Sequence, residues 1–305
     1  MDLDKNIELF LKYCKYQKNL NFKTLKAYKI DLKQFRIFIQ DSNFQISKAT
    51  ISNYIYFLHG KYKAKSSKRK IATVKCFFNF LEYEEIYIDN PFSKLRLKSQ
   101  IPFILPKTIS IQTLNRLFKT AYSSLDNSSL SEYETICIHR DIAVLELLFA
   151  TGLRVSELCS IKKNDIDLVQ GIVKVYGKGS KERIIQLTNS KVITALSKYR
   201  EFYKYFNHEN DYFFINKLGN KLSEQSIRFM INKYVILTGI TEHITPHMFR
   251  HTFATLLLEE DVDIRYIQQI LGHSSIITTQ IYTHVTSSKQ REILTYKHPR
   301  NRISI

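Results

Sequence analysis

The sequence predicts a mainly α fold with one small β-sheet, divided into two units. Three observations point there. Apolar residues recur at three- and four-residue steps through the first ninety positions, which is the helical period and not that of strands. A basic stretch without acids, SKLRLKSQIPFILPK (93–107), cannot carry a helix through Pro102 or Pro106 and reads as a linker. Beyond it, GIVKVYGKGSKERIIQL (171–187) places two β-branched runs around a glycine-rich turn, a hairpin pattern that occurs once.

The elements follow in order. Ile7, Phe10, Leu11 and Cys14 mark a first helix, and Leu25, Tyr28, Leu32, Phe35 and Ile39 a second. Ile51, Tyr54, Ile55 and Leu58 mark a third, ended by Gly60, and Ile71, Val74, Phe77, Phe78 and Leu81 a fourth. The expectation is a four-helix bundle over 1–92, closed by Asn90-Pro91. The connection KYKAKSSKRK crowds Lys61, Lys63, Lys65, Lys68, Arg69 and Lys70 together. Given the overall charge, these six read as phosphate contacts, with a plain solvated loop as the alternative. The second unit, 108–305, opens on a helix with Leu114, Leu117 and Phe118 inside. The polar stretch 123–134 is expected as an exposed loop, and RDIAVLELLFATG as a buried helix stopped by Gly152. After the hairpin, helices are expected near 190–206, 223–238, 246–259, 263–271 and 275–283.

Composition narrows the function. The chain has 305 residues, is 44% apolar and carries a formal charge of +18. The excess is spread over both units, which favours a polyanionic partner, nucleic acid, over a mere solubility surface. Cys14, Cys76, Cys137 and Cys159 form no C-x-x-C pair and lie in apolar runs, so they read as core residues of a reducing compartment. The acidic N-terminus is no secretory signal, and no apolar run approaches the roughly 18 residues of a membrane helix. A soluble, cytoplasmic, nucleoid-associated protein is expected.

Four segments carry chemistry. In TPHMFRHTFATLL (245–257), Thr245 suits an N-cap and Pro246 the first helical position. His247, Arg250 and His251 then share one face, with Phe249, Phe253 and Leu256 opposite as the buried side. A cationic trio beside unpaired N–H groups suits a phosphate. A zinc pair at i, i+4 is the weaker alternative, since no glutamate follows His247 and Arg250 would repel a cation. In ATGLRVSEL (150–158), Arg154 opens a helix after Gly152, and Glu157 is either its plain partner or a group that orients it toward an anion. In YGKGSKER, Lys178 sits between glycines on a turn. In LGHSSIITTQIYTHV (271–285), Gly272 ends one helix, His273 stands at the corner, Ser275 can cap the next helix and Tyr282 lies late in it.

Arg154, Lys178, His247, Arg250, His273 and Tyr282, in that order and in these contexts, closely resemble the tyrosine recombinase (phage integrase) family, most closely its Xer-type members. The resemblance covers nearly the whole chain. It implies a helical, SAM-like core-binding domain followed by a catalytic domain of the DNA breaking-rejoining fold. It implies Tyr282 as nucleophile, Arg154 and Arg250 on the phosphate, His247 as proton acceptor, Lys178 as general acid and His273 as a phosphate hydrogen-bond donor. Glu157 and His251 would support them. No cofactor, metal or ATP is expected. The implied partners are duplex DNA with two half-sites and a homo-tetramer, or a paralogue, reached through a Holliday junction. The C-terminal segment, through Ile293 and Leu294, is expected to dock on a neighbouring subunit. The expected role is dimer resolution or movement of a mobile element. A type IB topoisomerase-like enzyme and a non-catalytic DNA-binding protein remain the alternatives. The polar stretch 123–134 reads as longer than in compact Xer-type members, which bears on the subfamily and target and not on the chemistry.

Overall fold

The computed structural model describes residues 2–41, 45–93, 95, 106–177, 182–202 and 210–272. The chain divides into two units, Met1–Phe103 and Ile104–Ile305.

The first unit holds α1 (Leu3–Tyr16), α2 (Phe22–Gln40), α3 (Lys48–Lys61) and α4 (Ala64–Tyr83). Asp2, Asn21 and Ser47 cap the first three, each accepting from the backbone N–H three residues on. Each cap satisfies a donor that the first helical turn leaves orphaned. The buried stripe is the one the spacing predicts: Phe10, Leu32, Phe35, Ile39, Ile51, Tyr54, Leu58, Val74, Phe77, Phe78 and Leu81. Aromatic edges lock it, with Phe35 meeting Tyr54 at 5.0 Å between centroids and Phe10 meeting Phe77 at 5.5 Å. Phe92 is also buried in this core, just past Pro91.

The basic run is not a loop. Lys61 still belongs to α3 and Ala64 already begins α4, so Gly60 does not end its helix. Alanine, lysine and arginine are good helix formers, which lets α4 begin two turns before its first apolar position, Ile71. Buried Ser67 donates to the Leu58 carbonyl at 2.9 Å and ties the start of α4 to the end of α3. Lys61, Lys63, Lys65, Lys68 and Arg69 are exposed, but Lys70 is not. Its ammonium, 5% exposed, donates to fully buried Asp31 at 2.9 Å and lies 4.7 Å from the centre of the Tyr62 ring. Arg69 and Thr73 donate to the other oxygen of Asp31. Lys70 is therefore part of the interior and cannot serve as the surface phosphate contact its sequence setting suggests. The cysteine expectation also holds only in part: Cys14 and Cys159 are buried, Cys137 is half-buried and Cys76 is exposed.

The second unit is built around α6 (Glu132–Thr151), buried on nearly every side. Helix α5 (Ile111–Ser123) precedes it, and a single 3-10 turn, Ser124–Asp126, follows α5. The stretch 123–134 is therefore not one loop. Ser131 and Glu134 form a reciprocal capping box, Glu134 accepting from the Ser131 N–H at 2.9 Å, and α6 starts inside it. At the far end Gly152 takes the left-handed conformation, φ +59°. A Cβ there would stand 2.6 Å from the Phe253 ring, so both backbone and packing require glycine. Helix α7 (Val155–Ser160) then leads to a three-stranded antiparallel sheet, β1 (Ile166–Asp167), β2 (Ile172–Tyr176) and β3 (Glu182–Gln186), in that order. The hairpin is as predicted, with Val173 opposite Ile185. The two-residue β1 is too short to show a period and was not legible. Helices α8 (Ser190–Glu201), α9 (Glu224–Leu237), α10 (Pro246–Glu259) and α11 (Ile264–Leu271) complete the unit. The helix expected at 275–283 lies outside the described residues.

Helix α10 departs from expectation. It packs against α6, α9 and α11, so it is covered on several sides. Met248, Phe249, Thr252, Ala254 and Thr255 are buried, and so is Arg250, expected to face outward or into a cleft, at 4% exposure. Phe253 and Leu256 are only half-buried, Phe253 packing in a small cluster with Ile267 and Leu271. Thr245 occupies the N-cap position without a side-chain capping bond, and Pro246 supplies the first turn. Among the described residues, no helix is long and apolar enough to cross a membrane.

Removing the carboxylate from the first unit strands a buried ammonium. Asp31→Ala is expected to lower that unit's stability by about 3–5 kcal/mol, read as a shift in urea midpoint. Asp31→Leu combined with Lys70→Met recovers most of the loss, because a matched apolar pair leaves no charge uncompensated.

Candidate active site

The site grows from the break between α6 and α7. Gly152 turns the chain, and Arg154 takes the N-cap position of α7 with extended backbone. Glu157, three residues on, reaches back and accepts from the Arg154 N–H at 3.0 Å. Its other oxygen accepts from the Arg154 guanidinium at 2.7 Å. So Glu157 is indeed the partner of Arg154, and it does more. The Arg183 guanidinium, arriving from β3, donates to both oxygens, at 3.2 and 2.8 Å, in a fork. The Glu157 side chain is 5% exposed. Burial alone would push its pKa up, but hydrogen bonds from Arg183 and from the Arg154 N–H outweigh it and hold the pKa below the ordinary carboxylate value.

Arg183 was not singled out in the sequence, although a signal existed. Strand residues alternate between faces, and Arg183 shares the parity of buried Ile185. An arginine on the inward side of a strand requires an anion inside. The alternation was masked because the intervening Ile184, 55% exposed, is also apolar. Arg183 also donates from Nε to the Ile270 carbonyl at 2.8 Å, in the last turn of α11.

Arg250 is anchored differently. From α10 it donates to the Gly152 carbonyl at the end of α6 and to the Leu271 carbonyl at the end of α11, both at 2.8 Å. Helix C-termini leave carbonyls without intrahelical partners and carry partial negative charge, so a cation there satisfies both needs. No carboxylate takes part in these two bonds.

His247 lies one turn before Arg250 and is exposed. Its pKa is lowered by burial first, then by the positive charges of Arg250, Arg228 and Arg154. This places Arg154, His247 and Arg250 within one electrostatic neighbourhood. Arg228 of α9 was not foreseen; it pairs with Glu224 at 3.2 Å on the exposed side of that helix. His251 lies 6.5 Å from His247 between ring centres. Its pKa is pushed down to about 4 by burial, His247 and Arg250. Among the described residues, no three histidine, cysteine or acidic side chains cluster as a metal site would need. Lys178, His273 and Tyr282 lie outside the described residues.

A buried cationic nest with a neutral imidazole at its edge can bind a tetrahedral anion and accept a proton beside it. Comparisons with known proteins agree. Residues 107–289 match the phage integrase family, and residues 7–85 match the phage integrase N-terminal SAM-like domain. A tyrosine recombinase of Agathobacter rectalis is 50% identical over 302 residues, covering 98% of each chain. The tyrosine recombinase XerD of Staphylococcus saprophyticus is 37% identical over 306 residues, covering 98% of this chain and all of that one. A solved structure of the XerH site-specific recombinase bound to palindromic difH substrate, a post-cleavage complex, shares the fold. Its TM-score is 0.75 at 21% identity, over 93% of this chain and 83% of that one. The chain belongs to the phage integrase family and is a Xer-type tyrosine recombinase, an enzyme that cuts and rejoins DNA strands in site-specific recombination.

Proposed function

We propose that Tyr282 is the nucleophile and that Arg154, Lys178, His247, Arg250 and His273 serve it. The phenol oxygen attacks a phosphodiester, a 3′-phosphotyrosyl bond forms, and the bond to the 5′-oxygen breaks. The phosphoester link conserves the energy needed for resealing, so no ATP enters. Negative charge collects on the non-bridging oxygens in the transition state. Arg154 and Arg250 compensate it, each worth roughly 10²–10³ in rate by analogy with oxyanion donors. His247 takes the tyrosine proton, Lys178 returns one to the leaving 5′-oxygen, and His273 hydrogen-bonds a phosphate oxygen. Metal and cofactor have no part in this reading. Glu157 fixes Arg154 and His251 supports His247. The observation that carries the reading is the joint placement of Arg154, His247 and Arg250 around the ends of α6, α7 and α10.

The same reading extends to assembly. Two half-sites of duplex DNA would each hold a protomer. A homo-tetramer, or a tetramer with a paralogue, would exchange strands through a Holliday junction in the cytoplasm. Exposed Lys61, Lys63, Lys65, Lys68 and Arg69 supply backbone contacts in the first unit. The reaction resolves replicon dimers or moves a mobile element, and sequencing the DNA selected from genomic fragments distinguishes these roles.

Tyr282→Phe is expected to abolish covalent protein–DNA adducts on a nicked site while leaving gel-shift affinity within about twofold, since one hydroxyl adds no charge to the counterion term. Adducts persisting in this variant would remove Tyr282 from its role. Excess EDTA leaves cleavage unchanged, and relaxation of a plasmid that lacks the site would favour the topoisomerase reading instead.

Two pH effects follow from the histidines. A base must be neutral, and His247 resists protonation, so the acid limb of the second-order cleavage rate should lie below the ordinary histidine pKa. The His251 effect is on stability. Between the unfolded pKa of about 6.5 and the folded value of about 4, the unfolded chain binds the extra proton. Stability therefore declines as pH falls through that window, and His251→Asn flattens that part of a pH-dependent melting series.

A further inference from the structure

Arg183 stands where three parts of the catalytic unit meet, and the proposed chemistry assigns it no step. It enters from β3, the strand that follows the turn carrying Lys178. Its two terminal nitrogens hold the carboxylate that in turn holds Arg154, and its Nε holds the Ile270 carbonyl. Ile270 lies three residues before His273 in the chain. The side chain is only 12% exposed, so it is sealed beneath the site and does not face a ligand. Gly272 confirms how tightly the group is enclosed. A Cβ at that position would stand 2.8 Å from Nη1 of Arg183, so the backbone of the α11 C-cap lies directly against the guanidinium.

We infer that Arg183 is a positioning residue for strand cleavage, aligning Arg154 through Glu157 while fixing the end of α11 from which the chain continues to His273. The inference rests on the site reading above.

The plainer role would be charge balance for buried Glu157. The geometry demands more than that. Charge balance needs one cation near the carboxylate, and Arg154 already supplies one at 2.7 Å. Three directed N–H bonds, two to the carboxylate and one to a carbonyl of another element, suit the rigid fork of a guanidinium. A lysine keeps the charge but offers a point donor on a flexible stem, so it cannot reach both acceptors with fixed geometry. Release of Glu157 from β3 lets the Arg154 guanidinium drift relative to the phosphate. A displacement near 1 Å at a reacting centre costs on the order of 10²-fold in rate.

The test is Arg183→Lys in the full-length protein, with Arg183→Gln as a second variant that keeps a donor without the charge. Single-turnover cleavage of a nicked site at saturating protein, gel-shift affinity and the melting transition are measured for each. Expected is near-wild-type binding of DNA with cleavage slowed roughly 10–100-fold, as for groups that orient others from behind. A double-mutant cycle with Arg154→Lys supplies the readout that a merely structural role would not move. In that background the Arg183 substitution should cost at most a few-fold, because the group it positions has already lost its geometry. Wild-type cleavage rates in Arg183→Lys, or a penalty that stays fully additive with Arg154→Lys in whichever variant folds, would overturn the inference. Adduct formation by the wild-type enzyme, and its loss in Tyr282→Phe, tests the underlying site reading separately.

Discussion

The catalytic unit depends on one buried carboxylate. Glu157 sits in the first turn of a six-residue helix, where its charge would be costly without compensation. Three sets of donors compensate it: the N–H that starts its own helix, the guanidinium of the residue at the N-cap, and the fork of an arginine from the sheet. The first two belong to Arg154 and the third comes from β3. Satisfying the carboxylate therefore fixes the direction of Arg154, holds β3 against α7 and, through the remaining nitrogen of Arg183, places the end of α11. Helix α7 buries Val155, Leu158 and Cys159 in the core, and these polar bonds add a fixed orientation at its N-terminal end.

Much of this architecture was legible because helices advertise themselves. The three- and four-residue steps of Leu32, Phe35 and Ile39, or of Val74, Phe77 and Leu81, need no tertiary knowledge to read. Gly152 and Gly272 were visible as helix stops, and both do adopt the left-handed conformation. Arg154 and His247 were legible for the same reason, since each stands at the start of a helix. What was not legible depends on partners distant in the chain. Lys70 looks like its basic neighbours until Asp31, 39 residues away, takes its ammonium. Arg250 reads as a surface residue by helical phase until two helix ends, 98 and 21 residues away, close on it. Ser131 and Glu134 carried a local signature that the surrounding serines obscured.

The two units manage basic charge in opposite ways. In the first, Lys61, Lys63, Lys65, Lys68 and Arg69 stay exposed on the end of α3 and the start of α4, while one member of the same run is neutralised inside. Exposed lysines at such density attract a polyanion without geometric demand, as counterion release requires. In the second unit the arginines of the candidate site are held by named acceptors, Arg183 and Arg250 largely buried and Arg154 34% exposed. In the proposed reading, the exposed charge recruits DNA and the aimed charge meets one phosphate.

That arrangement bears on the state of His247. Arg154 and Arg183 share the Glu157 carboxylate, while backbone carbonyls of Gly152 and Leu271 orient Arg250. The positive charges of Arg250, Arg228 and Arg154 all act on the His247 ring. An imidazole placed in that field resists protonation, and the depressed pKa of His247 has this repulsion among its causes. The same field lowers the energy of a phosphorane carrying extra negative charge and of a phenolate approaching it. Anion stabilisation and a neutral proton acceptor are therefore two consequences of a single arrangement.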